Sequence, residues 1–212
     1  MESPLRAKAG APDLKLIETL RWDGAVFARL DLHLARLESS ATALGWACGD
    51  AWAALQAAAP MNPARVRLTL DGHGRFEITS SKLPAGPSRW RLGLAAQRLR
   101  AQDAWLTVKS TKRAAYDHAR ATLPTGLDEV IFQNEQGDIC DGTITTVFFD
   151  RGAGLRTPPL TCGVLPGVLR ADLLATGAAH EEVLHVSDLG HVQLWVGNSL
   201  RGLFPALFIP SG

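Results

Sequence analysis

Two segments that alternate polar and apolar residues lie on either side of the turn sequence Asp71-Gly-His-Gly74, at residues 65–70 and 75–79. Successive side chains of a strand point to opposite faces of a sheet, so this pattern predicts an antiparallel hairpin with one buried face. Such a face has to be buried under a second layer. Two predicted helices supply that layer, one at residues 32–44, where apolar residues recur at steps of three and four, and one at residues 51–59.

The rest of the chain continues this mixture of strands and helices. Residues 14–21 and 25–31 flank Asp23-Gly24, a strong tight-turn signal, and predict a second hairpin. Further helices are expected at residues 113–121 and 168–175, the latter directly after Leu165-Pro-Gly167. Further strands are predicted at residues 89–95, 128–133, 137–150, 182–186, 193–196 and 203–208.

A polar stretch without periodicity, at residues 96–105, separates the two halves of the chain. The chain has 212 residues, a length at which two small domains are plausible. We therefore predict an α+β fold with two domains, residues 1–100 and 101–212.

Charge and cysteine content argue against several classes of function. The 22 basic and 21 acidic residues give a formal charge of +1, so no strong overall field attracts nucleic acid or a membrane. Three cysteines without Cys-x-x-Cys spacing and six histidines without His-Glu-x-x-His predict neither a disulfide framework nor a metal site. No stretch is apolar enough for a signal peptide or a membrane span, so we expect a cytoplasmic protein with a small-molecule substrate.

Familiar catalytic motifs are also absent from the sequence. Gly197-Asn-Ser199-Leu-Arg-Gly202 is one residue too long for the G-x-S-x-G motif of serine hydrolases. Neither the G-x-G-x-x-G dinucleotide motif nor a P-loop is present.

Three remaining features fit one another chemically. Lys109 has apolar neighbours, which favour an uncharged and nucleophilic amine. Asp141 ends an otherwise apolar strand, while the helix start at Gly167-Val-Leu169 and the loop residues Asn198-Ser199 offer donors to a phosphate. An amine, an acid and a phosphate cradle are what pyridoxal 5'-phosphate (PLP) requires. Taken singly, these features are more typical of a surface lysine, a turn residue and a helix entry, so the prediction depends on their conjunction.

Six segments of the chain carry a family resemblance. They include Lys109-Ser-Thr-Lys-Arg113 and Leu165-Pro-Gly167, and they cover residues 16–20, 33–44, 109–117, 128–130, 137–148 and 157–170. In this order and spacing the chain resembles the class IV superfamily of D-amino-acid and branched-chain aminotransferases, which are PLP enzymes of fold type IV. The resemblance implies an N-terminal two-layer α/β domain, a C-terminal pseudo-barrel domain that carries the Schiff-base lysine, PLP between the domains, and a homodimer.

The resemblance also implies a role for each site residue. Lys109 would be the Schiff-base lysine and general base, rather than Lys112, because the family lysine stands four residues before the arginine that Arg113 matches. Asp141 would take the place of the family's glutamate beside the pyridine nitrogen, and Arg36 would bind the cofactor phosphate. The other expected cofactor contacts are Gly167, Val168, Leu169, Asn198 and Ser199.

The segment Asn198-Ser-Leu-Arg-Gly202, followed by Pro205-Ala206, resembles the closing motif of aminodeoxychorismate lyases. It implies a lyase that releases p-aminobenzoate and pyruvate for folate biosynthesis, with Thr19 assisting proton delivery to the leaving group. Two alternatives stay open: a class IV amino acid aminotransferase, and a degenerate PLP-binding homologue. An aminotransferase needs a second carboxylate-binding site, for which Arg113 and Arg201 are available.

Overall fold

The structure is a computed structural model that describes residues 4–210, and it divides into two compact units. Within the described residues, the first unit comprises residues 4–85 and 108–112, and the second comprises residues 86–107 and 113–210. The α+β fold class is confirmed, because each unit combines a sheet with two helices.

The first unit is built on a three-stranded antiparallel sheet. Its strands are β1 (Lys15–Trp22), β2 (Ala64–Asp71) and β3 (Phe76–Ser81), in the order β1-β2-β3. The predicted β2–β3 hairpin is confirmed. Its turn is closed by Asp71 Oδ1, which accepts hydrogen bonds from the backbone N–H groups of His73 and Arg75 at 2.9 and 3.0 Å.

Two helices lie between β1 and β2 in the sequence, and both are confirmed. α1 (Leu30–Leu44) packs on β1 and ends at Gly45, whose φ of 74° lies in the left-handed region that favours glycine. α2 (Ala51–Ala57) begins after Asp50, whose side chain accepts a hydrogen bond from the backbone N–H of Ala53. The sequence signals for these ends are local, which is why they could be recognised without tertiary information.

The second unit is a six-stranded barrel with a two-stranded extension. Its strands are β4 (Trp90–Leu94), β5 (Glu129–Gln133), β6 (Ile139–Gly142), β7 (Thr146–Asp150), β8 (Arg156–Thr157), β9 (His180–Glu181), β10 (Gln193–Asn198) and β11 (Gly202–Phe208). The pairing order is β10-β11-β4-β5-β6-β7, and a further pairing of β7 with β10 closes the ring. β8 and β9 extend the sheet beyond β7. The predicted barrel-like second domain is thereby confirmed.

Apolar side chains cover both faces of the barrel strands. Ile131 of β5 belongs to one buried cluster, whereas its neighbours Val130 and Phe132 pack with α3 (Ala114–Ala121) in another. Phe148 of β7 packs with residues of α4 (Val168–Ala175). Burial on both faces explains why these strands have almost continuous apolar sequences.

The predicted hairpin at residues 14–31 is wrong. β1 pairs along its whole length with β2, and the chain after the Asp23-Gly24 turn forms only one bridge, Trp22 to Phe27, before α1 begins at Leu30. The turn itself forms, since Asp23 Oδ1 accepts hydrogen bonds from two backbone N–H groups. At the end of the predicted second strand, Leu30 and Asp31 belong to α1, and Arg29 before them has a left-handed φ of 55°, so a strand cannot continue through these residues.

The division of the chain differs from a single boundary near residue 100. β4 lies between β11 and β5 in the second unit. Residues 108–112 return to the first unit, where Ser110 forms a bridge with Leu16. Lys109 therefore belongs to the first unit, not to the second as predicted.

The strand predicted at residues 182–186 is absent from the described residues, since β9 covers only His180–Glu181. Short 3-10 helices complete the described chain. None of the helices within residues 4–210 has the length and apolar character needed to span a membrane. The 3-10 helices are Arg6–Lys8, Ala104–Thr107, Leu160–Cys162 and Val186–Asp188.

A close approach between β10, β11 and α4 gives the first testable prediction. A Cβ atom added at Gly197 would lie 2.6 Å from the carbonyl oxygen of Gly202 and 2.7 Å from Leu169 Cδ2. Gly197→Ala should therefore lower the free energy of unfolding by about 1 to 3 kcal/mol, measured by urea denaturation. Gly190→Ala is the matched control, because no heavy atom lies within 4 Å of its added Cβ. Equal urea midpoints for the two variants would contradict the prediction.

Candidate active site

Lys109 is held beside β1 by backbone hydrogen bonds. Its carbonyl oxygen accepts a hydrogen bond from Ile17 N at 2.8 Å, and Thr111 N donates to Lys15 O at 2.9 Å. It follows the 3-10 helix Ala104–Thr107 and precedes α3. The lysine is half-buried whereas Lys112 is exposed, which agrees with the choice of Lys109 as the functional lysine.

Arg36 of α1 lies against a buried carboxylate of β1. Its Nε and Nη2 atoms donate to Glu18 Oε1 and Oε2 at 2.8 and 2.6 Å, a two-point interaction of the guanidinium with the carboxylate. His33, one helical turn before Arg36, places Nδ1 2.6 Å from Glu18 Oε2. The predicted phosphate ligand is therefore oriented by Glu18, and phosphate binding by Arg36 stays a prediction.

Burial and charge act in opposite directions on this cluster. Burial alone would raise the pKa of Glu18, but the charge of Arg36 and the hydrogen bonds from His33 and Arg36 outweigh it and lower that pKa to about 2. The pKa of His33 is lowered, first by burial and further by the positive charges of Arg36 and Lys109. His33 is thus neutral at pH 7, and its Nδ1–H donates to the carboxylate.

Thr19 follows Glu18 in β1 and therefore points to the opposite face of the sheet. In the β1–β2 register it lies across from Arg67, while Glu18 lies across from Leu68. Thr19 is consequently outside the Arg36 cluster, and its role in proton delivery stays a prediction.

Asp141 is the buried acid of the second unit. Its exposed fraction is 4%, and Oδ2 accepts a hydrogen bond from Leu165 N at 2.6 Å, in the loop that leads into α4. The β6–β7 register places Asp141 across from Thr146. Burial and the charge of Asp141 both raise the pKa of Tyr116, so this phenol stays protonated beside the carboxylate.

The expected phosphate contacts gather around the start of α4. Gly167 is the N-cap residue of the helix and has no side chain with which to cap the first turn, which includes the backbone N–H groups of Val168 and Leu169. The first N–H groups of a helix have no acceptor within it and attract anions. A Cβ at Gly167 would lie 2.8 Å from Thr146 Oγ1, so β7 and this helix start are in close contact.

Asn198 ends β10 and Ser199 follows it, and Gly197 before them approaches Leu169 in the first turn of α4. Asn198 Oδ1 accepts a hydrogen bond from Arg201 N at 3.0 Å, and Nδ2 donates to the carbonyl of Ile144 at 3.0 Å. Ser199 is buried. The tertiary structure therefore brings the predicted residues of the second unit together.

The two arginines considered as substrate ligands have structural contacts in the second unit. Arg113 donates from Nε to Asp117 Oδ1 at 2.7 Å and from Nη2 to Thr143 O at 2.8 Å. The guanidinium of Arg201 lies 5.8 Å from the ring centroid of Trp90. Carboxylate binding by either arginine stays a prediction.

Comparison with known proteins identifies the family. The family model of amino-transferase class IV matches residues 15–209. The chain belongs to this family.

Individual relatives carry names for two different reactions. A Schizosaccharomyces pombe protein, provisionally named aminodeoxychorismate lyase, is 30% identical over 177 residues, which cover 79% of this chain and 76% of that protein. A Mesorhizobium loti crystal structure, provisionally described as an amino-acid aminotransferase, is 44% identical with a TM-score of 0.87, covering 93% of this chain and 100% of that one. The 4-amino-4-deoxychorismate lyase of Pseudomonas aeruginosa shares the fold at 24% identity, with a TM-score of 0.78 and coverage of 91% and 83%. The architecture is that of fold type IV.

The donors of the second unit fit PLP, the cofactor of the class IV aminotransferases. A phosphate needs N–H donors, and the first turn of α4 presents the backbone N–H groups of Val168 and Leu169. A protonated pyridine nitrogen needs an acceptor carboxylate, and Asp141 is held by the same loop that enters α4. The chemistry of these groups matches both ends of the cofactor.

The buried carboxylates Glu18 and Glu129 were missed as functional residues by the sequence analysis. Leu16, Glu18 and Leu20 share the face of β1 that period-two alternation predicts as buried. A carboxylate on a buried face needs hydrogen-bond or charged partners, so this pattern could have indicated a paired carboxylate. Glu129 carries no such signal, because all five residues of β5 are buried.

The pKa of Glu18 gives a prediction about stability. Its folded-state pKa of about 2 lies below the ordinary 4.5, so the unfolded chain binds more protons between these values. The stabilisation is present above pH 4.5 and is lost as the pH falls towards 2. Glu18→Gln should lower the free energy of unfolding by about 3 kcal/mol at pH 7 and flatten its dependence on pH in this window.

Chemical denaturation at pH 7, 4.5 and 3 measures both effects. Glu77→Gln is the control, because Glu77 pairs with Lys15 at the surface and should contribute little. The same pH dependence in wild type and Glu18→Gln would contradict the assignment.

Proposed function

We propose that the protein is a PLP-dependent lyase that cleaves 4-amino-4-deoxychorismate to p-aminobenzoate and pyruvate. The observation that carries the cofactor proposal is the assembly in the second unit of a buried acid, Asp141, with the glycine-capped start of α4 and with Asn198. Lys109 and Arg36, to which the family resemblance gives roles toward the same cofactor, lie in the first unit, where Glu18 orients Arg36.

Each residue has a defined chemical task in this proposal. The N–H groups of Val168 and Leu169 would bind the phosphate, for which the family resemblance also assigns Arg36, and Asp141 would hold a proton on the pyridine nitrogen. When bound, PLP supplies an electron sink for the electron pair left at the amine-bearing carbon. Lys109 takes the proton from that carbon. Thr19 is the candidate for supplying a proton to the enolate of pyruvate as it leaves.

The lyase reaction is supported by the closing motif at residues 198–202 and by the name of the Schizosaccharomyces pombe relative. Amino acid transamination is the second candidate, supported by the 44% identity with the Mesorhizobium loti structure. Both reactions begin when a base removes a proton from the amine-bearing carbon, so Lys109 serves either. A homodimer and a cytoplasmic location stay predictions.

A comparison of two lysines tests the cofactor chemistry. Wild type and Lys112→Ala, mixed with PLP and reduced with borohydride, should carry the cofactor mass on the peptide that contains residue 109. Lys109→Ala should lose this attachment and lower turnover at least about a hundredfold, because it removes the general base. Peptide mass spectrometry and the visible absorption spectrum are the measurements. Attachment at Lys112 in wild type, or none at all, would contradict the proposal.

The two reactions are separated by their need for an acceptor. A lyase should release p-aminobenzoate and pyruvate from 4-amino-4-deoxychorismate at the same rate with and without an added 2-oxo acid. An aminotransferase should convert an amino acid only when the 2-oxo acid is present. Fluorescence of p-aminobenzoate and coupled detection of pyruvate give the rates, with Lys109→Ala as the blank. Turnover only with a 2-oxo acid would replace the lyase by the aminotransferase.

A further inference from the structure

The turn at residues 142–145 connects β6 to β7 and is flanked by two residues of the candidate site. Asp141 precedes the turn and Thr146 follows it, and the two face each other in the strand register. Gly142 N donates to Thr145 O at 2.8 Å and closes the turn. A change in the conformation of this turn would therefore alter the positions of Asp141 and of Thr146, which contacts the start of α4.

The carboxylate of Glu129, at the start of β5, lies inside this turn. Its Oε1 accepts a hydrogen bond from Thr143 Oγ1 at 2.6 Å. Its Oε2 accepts hydrogen bonds from Ile144 N at 3.2 Å and from Thr145 Oγ1 at 3.1 Å. The residue is fully buried, and Arg120 Nη1 lies 3.6 Å from Oε1. Three consecutive residues of the turn thus bind one carboxylate.

The turn is packed closely around this carboxylate. A Cβ atom at Gly142 would lie 2.9 Å from Glu129 Oε2 and 2.4 Å from Thr145 Oγ1, so only glycine fits there without a shift. A larger residue in place of Gly142 would prevent this close approach of the turn to the carboxylate of Glu129.

Two other candidate site residues bind the outside of the same turn. Arg113 Nη2 donates to Thr143 O, and Asn198 Nδ2 donates to Ile144 O. Asn198 of β10 and Arg113 at the start of α3 therefore bind the outer side of this turn, and Glu129 binds its inner side.

We propose that Glu129 is a positioning residue for the cofactor site. By binding the turn, it fixes Asp141 relative to Thr146 and to the start of α4, and thereby sets how Asp141 meets the pyridine nitrogen. This inference rests on the proposed binding of PLP. It assigns Glu129 no contact with the cofactor or the substrate.

Glu129→Gln tests the proposal with little change in side-chain volume. The amide nitrogen of glutamine cannot accept hydrogen bonds. Either Thr143, or Ile144 together with Thr145, therefore loses its hydrogen-bond acceptor. Glu135→Gln is the matched control, because Glu135 Oε2 also accepts a backbone hydrogen bond in the second unit, from Ala101 N at 2.8 Å, but binds a different loop. If Glu129→Gln does not fold, Thr145→Val removes a single hydroxyl donor from the same carboxylate.

The first measurement is hydrogen exchange in cofactor-free protein. Peptides that cover residues 139–150 should exchange faster in Glu129→Gln than in wild type or Glu135→Gln. Unchanged exchange would overturn the proposal, independently of whether PLP binds.

The second measurement is titration with PLP, followed by the pH dependence of the bound cofactor's absorption band. Glu129→Gln should bind PLP about tenfold more weakly, and the pH midpoint of its band should differ from wild type, because Asp141 is displaced. A lower melting temperature with unchanged affinity and pH midpoint would show a purely structural role and overturn the inference. Failure of wild type to bind PLP would instead overturn the proposed function.

Discussion

The pairing of β7 with β10 closes the barrel and determines where the residues of the second unit meet. Its register places Thr146 across from Gly197, while Thr146 also faces Asp141 of β6. Three strands therefore present these residues in one row, and the absence of a side chain at Gly197 lets Leu169 of α4 pack against it. A shift of one residue in this register would turn the side chains of a strand to the other face. The acid and the helix start both lie next to Thr146, the residue that this pairing places across from Gly197.

Buried carboxylates orient functional groups in both units. Glu18 binds the guanidinium of Arg36, and Glu129 binds the turn that follows Asp141. A buried charge without partners costs several kcal/mol, so each of these carboxylates requires its surrounding donors. Each carboxylate in turn holds its hydrogen-bond donors in fixed positions before any ligand binds. Pre-organisation of this kind lowers the cost of ordering side chains on binding.

Much of the local structure could be predicted from the sequence because its signals are local. The ends of α1 and α2 follow from Gly45 and Asp50, and the β2–β3 hairpin follows from alternation around the Asp71 turn. The site residues of the second unit could be predicted from residue type and family resemblance, and contacts in the structure join them. Glu129 could not be predicted in this way, since a fully buried strand gives no pattern that distinguishes a functional carboxylate from an apolar neighbour.

By itself, the sequence determined the α+β class, most elements, the family and the types of residue available for chemistry. Only the tertiary structure decided that β1 pairs with β2 rather than with residues 25–31, that β4 joins the barrel, and that Lys109 lies beside β1. The physical reason is that these choices are made by hydrogen bonds between segments far apart in the chain. Propensity and turn signals act over a few residues, whereas the partner of a strand or of a buried charge is selected by the packing of the whole unit.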